Sequence, residues 1–178
     1  MRFLKRIMCM SLLFIFTTQP LHAQETKTRL PELDVLLGSW NIKAENRLSA
    51  NGPWETNKGT AVIKRSTGEA CIEEKYTGTL NNKSFFDKSI IAYDHFSNVF
   101  QRVFIDSEHG VLIDYEGIKN ADAIFFDKTW TYPNKSTVKL RVVYTILSPN
   151  EFTIENMRMP ENTFEWDVTG KMHFTRIK

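Results

Sequence analysis

Cysteine is scarce in this sequence, with only Cys9 and Cys71 among 178 residues. Cys9 lies in an N-terminal apolar run that is typical of a secretory signal peptide, and cleavage after Ala23 would remove it. The mature chain, 24–178, would keep Cys71 alone, which excludes an intramolecular disulfide even in an oxidising compartment. We therefore expect one domain whose stability comes from its hydrophobic core.

Long hydrophobic runs and an excess of positive charge are also missing. The apolar run from Ile7 to Phe16 has about ten residues, against roughly 20 for a membrane-spanning helix. Three basic residues precede it, so the segment 1–23 predicts export to a secreted or periplasmic location without a membrane span. Removing those three charges from the formal net charge of +2 leaves −1, so nucleic acid is not an expected partner.

Helical periodicity is confined to the segment 25–38, where Leu33, Leu36 and Leu37 are spaced for a short helix and Gly38 would end it. The rest of the chain alternates apolar and polar residues in about ten segments, separated by turns rich in Asn, Gly, Pro, Ser and Asp. Closure of such a sheet removes its unpaired edges. We predict an all-β fold, a single antiparallel up-and-down β-barrel of about ten strands with a short N-terminal helix.

Three short motifs resemble the landmark regions of the lipocalin superfamily. They are Gly38-x-Trp40 near the first strand, the Asp114-Tyr115 pair in mid-chain and Arg176 in the last strand. The resemblance implies that Gly38, Trp40 and Arg176 are structural, with Trp40 closing one barrel end and Arg176 packed across its ring. A cation over an indole face contributes roughly 0.5–2 kcal/mol.

The sequence also resembles a bacterial family of secreted, lipocalin-like domains, domain of unknown function 1579. The resemblance comprises the "LLGSW" opening, "AYD" at Ala92–Asp94, "FID" at Phe104–Asp106 and the closing aromatic-x-Arg at Phe174–Arg176. It spans essentially the whole mature chain. Since the family has no assigned activity, the resemblance implies a fold and a pocket but no reaction.

Aromatic residues with polar tips occur among charged neighbours in several predicted strands. Together with an inward Arg102 or Arg141, they predict a pocket for a small apolar or amphipathic molecule with an acidic end. The candidate ligand-binding residues are Trp40, Tyr76, Tyr93, Arg102, Tyr115, Trp130, Arg141, Tyr144 and Trp166. The alternative is a filled core, in which these side chains pack internally and the protein acts through its surface.

A barrel-based enzyme, an isomerase or hydrolase using an interior carboxylate, is a further alternative. Its candidates are Asp114, Glu116 and Glu73. In a strand, Asp114 and Glu116 share a face and alternate with Ile113 and Tyr115, which we expect to face inward. The alternation therefore argues against an interior carboxylate, and we predict no catalytic residues.

Histidines offer little for a metal or cofactor site. His95 and His109 lie in predicted turns, and with one mature cysteine they leave no zinc ligand set. The nitrobindin-type haem proteins resemble this chain in the Gly-x-Trp opening, which implies His173 as the position able to carry their iron ligand. If Arg176 points toward Trp40, His173 points to the opposite face, so we predict no metal and no cofactor, with haem as the alternative.

Overall fold

The computed structural model describes residues 31–47, 49, 51–66, 70–80, 83–107 and 110–178. The predicted signal peptide, 1–23, therefore lies outside the described residues. The described chain forms a 3₁₀-helix and ten strands. The 3₁₀-helix spans Pro31–Leu36, and the strands are β1 Gly38–Asn46, β2 Glu55–Ser66, β3 Cys71–Leu80, β4 Lys83–Asp94, β5 Val99–Asp106, β6 Val111–Asn120, β7 Ala123–Thr131, β8 Thr137–Ser148, β9 Glu151–Pro160 and β10 Asp167–Arg176.

The short helix predicted over 25–38 is not confirmed. Its first residues lie outside the described ranges, and the described part is a 3₁₀-helix of six residues. Tighter 3₁₀ turns are common in such short connecting pieces. Among the described residues, no helix is both long enough and apolar enough to cross a membrane.

The ten strands form a closed antiparallel barrel in which every strand pairs with its neighbours in sequence. Closure comes from the pairing of β1 with β10, which sets Trp40 opposite Arg176. The all-β barrel predicted from the alternating pattern is therefore confirmed. Because the first and last strands pair, the sheet has no open edge.

The alternation of each strand decides which side chains fill the barrel. In β1, Trp40, Ile42 and Ala44 are buried, whereas the intervening Asn41 and Lys43 are exposed. The same period of two marks the first halves of β7 and β9, where the buried side chains are Ile124, Phe126, Phe152 and Ile154. The interior is thus lined by large apolar residues over the half of the barrel next to the 3₁₀-helix.

The 3₁₀-helix closes one end of the barrel. Leu33 and Leu36 of this helix are fully buried, and the Trp40 indole donates a hydrogen bond to the Leu36 carbonyl over 2.8 Å. The guanidinium of Arg176 lies 4.2 Å from the centre of the Trp40 ring and donates to the carbonyls of Leu37 and Val35 at 2.6 and 2.9 Å. One arginine thus ties the helix to the last strand.

Gly38 makes this close approach possible. Its φ of 135° is one that side-chain-bearing residues rarely adopt, and a Cβ at this position would lie 2.4 Å from Nη1 of Arg176. The Gly-x-Trp motif therefore has a physical basis, since the glycine leaves room for the arginine that covers the tryptophan.

Candidate ligand-binding cavity

A cavity of about 580 Å³ occupies the half of the barrel opposite the Trp40 end. Its size lies within the range typical of small-molecule sites. The walls are mostly apolar, and their main side chains are Ile42, Phe85, Phe104, Ile113, Leu140 and Met172. Such a surface favours an apolar portion of a ligand over water.

Three of the most buried lining residues are polar and lie next to the closed half. Tyr76 of β3, Arg102 of β5 and Tyr115 of β6 all line the cavity, and each is at most 7% exposed. We call these three residues the cavity floor. An apolar wall ending in a polar floor suits a molecule with one polar end.

A buried carboxylate lies directly beneath the floor. Glu74 has no solvent-exposed surface, and its Oε2 accepts hydrogen bonds from Tyr76 at 2.7 Å, from Tyr144 at 2.8 Å and from Ser89. Its Oε1 is buried without a hydrogen-bond donor among the described residues. Three hydroxyl donors on one oxygen offset the cost of burying this polar side chain.

The hydrogen-bond network around Glu74 also holds Arg102 in place. Its Nε donates to the Tyr144 hydroxyl over 3.1 Å, and its guanidinium carbon lies 5.0 Å from the Phe104 ring centre and 5.4 Å from that of Tyr115. Burial disfavours the charged form of Arg102. The oxygens of Tyr144, Tyr76 and Glu74 favour it more strongly, so the pKa of Arg102 lies above its ordinary value. Arg102 is therefore a permanent positive charge on the cavity floor.

The phenols around Arg102 stay protonated. Burial, reinforced by the Glu74 carboxylate, raises the pKa of Tyr76 well above its ordinary value. Burial also raises the pKa of Tyr144, because it outweighs the opposing charge of Arg102. Burial also raises the pKa of Tyr115, although the charge of Arg102 and a hydrogen bond with Arg102 act in the opposite direction. All three hydroxyls can therefore donate hydrogen bonds at neutral pH.

The mouth of the cavity has charges of both signs on opposite walls. Asp167 bridges two arginines, with Arg47 Nη2 at 2.6 Å and Arg158 Nε at 3.2 Å, and both arginines border the cavity. On the facing wall, Asp87 and Asp106 come from the paired strands β4 and β5. A ligand entering the barrel passes between these groups.

The structure places five of the nine residues predicted from sequence to bind a ligand at the cavity. Tyr76, Arg102, Tyr115 and Arg141 line it, and Tyr144 is fully buried behind it. Trp40 is at the closed end, where it packs edge-on against Phe152 at 4.8 Å. It closes the barrel but does not line the cavity.

Two other predicted aromatics lie away from the cavity. Tyr93 is near the closed end, where its ring packs against those of Phe100 and His95, each at 5.0 Å. Trp130 is half-buried opposite Val138, and it is not among the residues that line the cavity.

Of the two arginines predicted as alternatives for an inward cation, Arg102 is the one inside the barrel. Arg141 borders the cavity, but its guanidinium forms a bidentate pair with the exposed Asp127, with both distances 2.7 Å. The predicted pocket residue Trp166 stacks on that guanidinium at 4.4 Å. The physical reason is the strand period, because Arg141 falls between the inward Leu140 and Val142.

The prediction that the barrel has no interior carboxylate is also wrong, because Glu74 is inside. The signal was present in "CIEEKY", where Glu74 shares a face with Ile72 and Tyr76. Its neighbour Glu73 faces outward, where hydrogen bonds from Lys88 and Lys75 lower its pKa to about 2. Of these two adjacent glutamates, the predicted enzyme candidate Glu73 is therefore the outward one, and Glu74 is the buried one.

The remaining carboxylate candidates have the orientation that the alternation predicted. Asp114 and Glu116 are exposed, while Tyr115 between them faces inward. Lys128 donates to both oxygens of Asp114 at 2.7 Å and lowers its pKa. These groups form part of the outer surface of the sheet.

His173 is directed away from the cavity. Its Nε2 lies 2.5 Å from Oε1 of Glu151, and both side chains are more than two-fifths exposed. His95 is an exposed turn residue, and His109 lies outside the described residues. Within the described ranges, no group of three or more His, Cys, Asp or Glu residues is arranged to hold a metal ion.

Solved structures of similar fold include the S-type phycobiliprotein lyase CPES from Guillardia theta. It is 12% identical to this chain, with a TM-score of 0.56 over 82% of this chain and 90% of the lyase. A redesigned beta barrel, mFAP1 bound to DFHBI, is 15% identical, with a TM-score of 0.43 over 80% of this chain and 95% of the design. At these identities, the likeness to the lyase concerns the fold alone.

Among curated proteins, no sequence matches this chain. A family model, described as protein of unknown function (DUF1579), matches residues 27–176. Because that match covers nearly the whole predicted mature chain, the protein belongs to the DUF1579 family.

Proposed function

We propose that the protein is an exported binding protein that carries a small amphipathic molecule inside its barrel. The observation that supports this is the cavity of about 580 Å³, with apolar walls and the polar floor of Tyr76, Arg102 and Tyr115. A protein that acts only through its surface has no need of such a space, since unfilled volume lowers stability.

The alternative of a barrel enzyme has less support. Glu74 is the interior carboxylate that such an enzyme needs, but it is fully buried beneath the floor and does not line the cavity. A general acid or base must come within hydrogen-bond reach of the substrate. Ligand binding without catalysis therefore explains the position of Glu74 with fewer assumptions.

Haem binding also has less support. His173 pairs with Glu151 on the outer face, so it offers no axial ligand to the cavity. The absorption spectrum of protein purified from its own envelope tests this alternative directly, since bound haem would produce a Soret band.

Export is part of the proposal and rests on the segment 1–23. A basic start, a short apolar run and a small residue before Gln24 are the features of a cleaved leader. The mass of the protein recovered from the periplasm and the culture medium tests this. A chain beginning at Gln24 supports export, and an unprocessed chain confined to the cytoplasm refutes it.

Titration with N-phenyl-1-naphthylamine, a neutral probe that fluoresces in apolar surroundings, tests the cavity. We expect saturable binding by the wild type and its loss in Ala44→Phe, because Ala44 lines the cavity and a phenyl ring would fill part of it. Asn41→Phe is the matched control, since Asn41 is exposed on the same strand. Equal binding by both variants would refute an interior site.

A further inference from the structure

The hydrogen bonds of Arg102 indicate what the polar end of the ligand must be. A guanidinium carries five N–H donors, and the Nε donor of Arg102 is used by the Tyr144 hydroxyl at 3.1 Å. Among the described residues, no carboxylate pairs directly with Arg102, and Glu74 reaches it only through Tyr144. Tyr115 also shares a hydrogen bond with Arg102, but it is a neutral phenol. The four donors of the two Nη atoms therefore have, within that part of the chain, no anionic acceptor.

Burial makes this arrangement costly without a further acceptor. Arg102 is only 5% exposed, so bulk water does not surround its guanidinium. The flanking rings of Phe104 and Tyr115 stabilise a cation, but they accept no strong hydrogen bond in the guanidinium plane. A planar group with two acceptor oxygens would satisfy the free edge of the guanidinium in the bidentate geometry that arginine favours.

The charge at the cavity floor suits a head group with a single negative charge. Arg102 is the one cation among the three floor residues, and Glu74 lies directly behind it. The other basic residues that line the cavity lie toward its mouth, and they are Arg47, Lys58, Arg141 and Arg158. A second negative charge on the head group would add repulsion from Glu74 without gaining another cation at the floor.

Resting on the proposed function, we propose that the ligand is an amphipathic monocarboxylic acid whose carboxylate binds the Nη atoms of Arg102 and the Tyr115 hydroxyl. Its apolar chain lies along Ile113, Leu140 and Met172 toward the mouth. Glu74 acts as a positioning residue, because its hydrogen bond with Tyr144 holds the phenol that orients Arg102.

The test compares head groups on one apolar chain with the wild-type protein. Decanoate, decan-1-ol and decyl phosphate are each titrated below their aggregation concentrations, by displacement of N-phenyl-1-naphthylamine. We expect decanoate to bind about tenfold or more tightly than decan-1-ol, as a charge-assisted hydrogen bond provides, and more tightly than decyl phosphate. Equal affinities for decanoate and decan-1-ol, or tightest binding of decyl phosphate, would overturn the inference.

The variant Arg102→Met separates the head-group contact from the cavity itself. We expect it to keep the neutral probe but to lose the tenfold preference for decanoate over decan-1-ol. Lys119→Met is the control and should keep that preference, since Lys119 is an exposed cation that does not line the cavity. A preserved preference in Arg102→Met would refute the role of Arg102.

Different results refute the carboxylate ligand and the binding function. If the wild type binds the neutral probe without preferring decanoate, the carboxylate inference is wrong and the binding function stands. If the wild type binds neither the probe nor any decyl compound, the proposed function is wrong as well. The wild-type head-group series decides the inference even where Arg102→Met fails to fold.

Discussion

Tyr144 and Glu74 are joined by a hydrogen bond of 2.8 Å across the barrel interior, from β8 to β3. These strands are not neighbours in the sheet, so the bond crosses the barrel and does not run along its wall. The same hydroxyl accepts from Arg102 of β5 at 3.1 Å. One phenol therefore fixes the positions of a buried cation and a buried anion that do not touch each other.

Replacement of Tyr144 by phenylalanine should be destabilising although it removes a single oxygen. The variant leaves the Nε donor of Arg102 without its acceptor and takes one of three donors from Glu74. Each unsatisfied buried group costs about 1–3 kcal/mol, so we expect a loss of about 2–4 kcal/mol in the free energy of unfolding. Urea denaturation of the two proteins measures it.

Tyr93→Phe is the matched control for that variant. The Tyr93 hydroxyl reaches Asn98 at 3.5 Å in an exposed setting, so its loss should change the free energy of unfolding by less than about 0.5 kcal/mol. Equal effects of the two substitutions would contradict the importance of the cross-barrel bond.

The raised pKa values of Tyr76 and Tyr144 make stability sensitive to alkaline pH. Burial raises both above the ordinary 10.0, so the folded protein keeps these protons where the unfolded chain has lost them. Stability from these groups is therefore fully present below pH 10.0 and is lost as pH rises beyond it. Burial raises the pKa of Tyr115 as well, so with three such phenols the free energy of unfolding should fall by up to about 4 kcal/mol per pH unit.

Urea denaturation at a series of alkaline pH values measures this slope. Tyr144→Phe should reduce its steepness by about 1.4 kcal/mol per pH unit, because one of the three phenols is gone. In parallel, tyrosinate absorbance from the buried phenols should appear only as the protein unfolds. Complete ionisation of all five tyrosines in the folded barrel would contradict the buried positions.

The barrel could be predicted from sequence because its signals are local and repeated. Alternation such as that of Val138, Leu140, Val142 and Tyr144 specifies one inward face per strand, and turn residues mark where each strand ends. The N-terminal helix was harder to predict, since the spacing of Leu33, Leu36 and Leu37 fits an α-helix and a 3₁₀ turn alike.

The site could be predicted only in part, because it depends on contacts across the barrel. Residue type and alternation identified Tyr76, Arg102, Tyr115 and Tyr144. Nothing local predicts that Glu74 meets Tyr144, which lies 70 positions later in the chain. The same limit explains Arg141, since arginine suits either a pocket or a surface ion pair, and its strand position decided between them.

The closed end of the barrel provides the last prediction, a test of Trp40 as a structural plug. Trp40 is fully buried, donates to Leu36 and is covered by Arg176, so Trp40→Ala removes a large core side chain together with its partners. We expect a loss of about 3–5 kcal/mol in the free energy of unfolding.

Trp54→Ala is its control, because Trp54 is 40% exposed and its ring pairs with the cations of Arg47 and Lys171, at 4.8 and 5.7 Å. Exposed cation–π pairs contribute about 0.5–1 kcal/mol, so this variant should stay within about 1 kcal/mol of the wild type. Both variants are measured by urea denaturation and by melting temperature. Since the cavity lies in the other half of the barrel, folded Trp40→Ala protein should still bind the neutral probe. An unchanged melting temperature would show that Trp40 does not close the barrel.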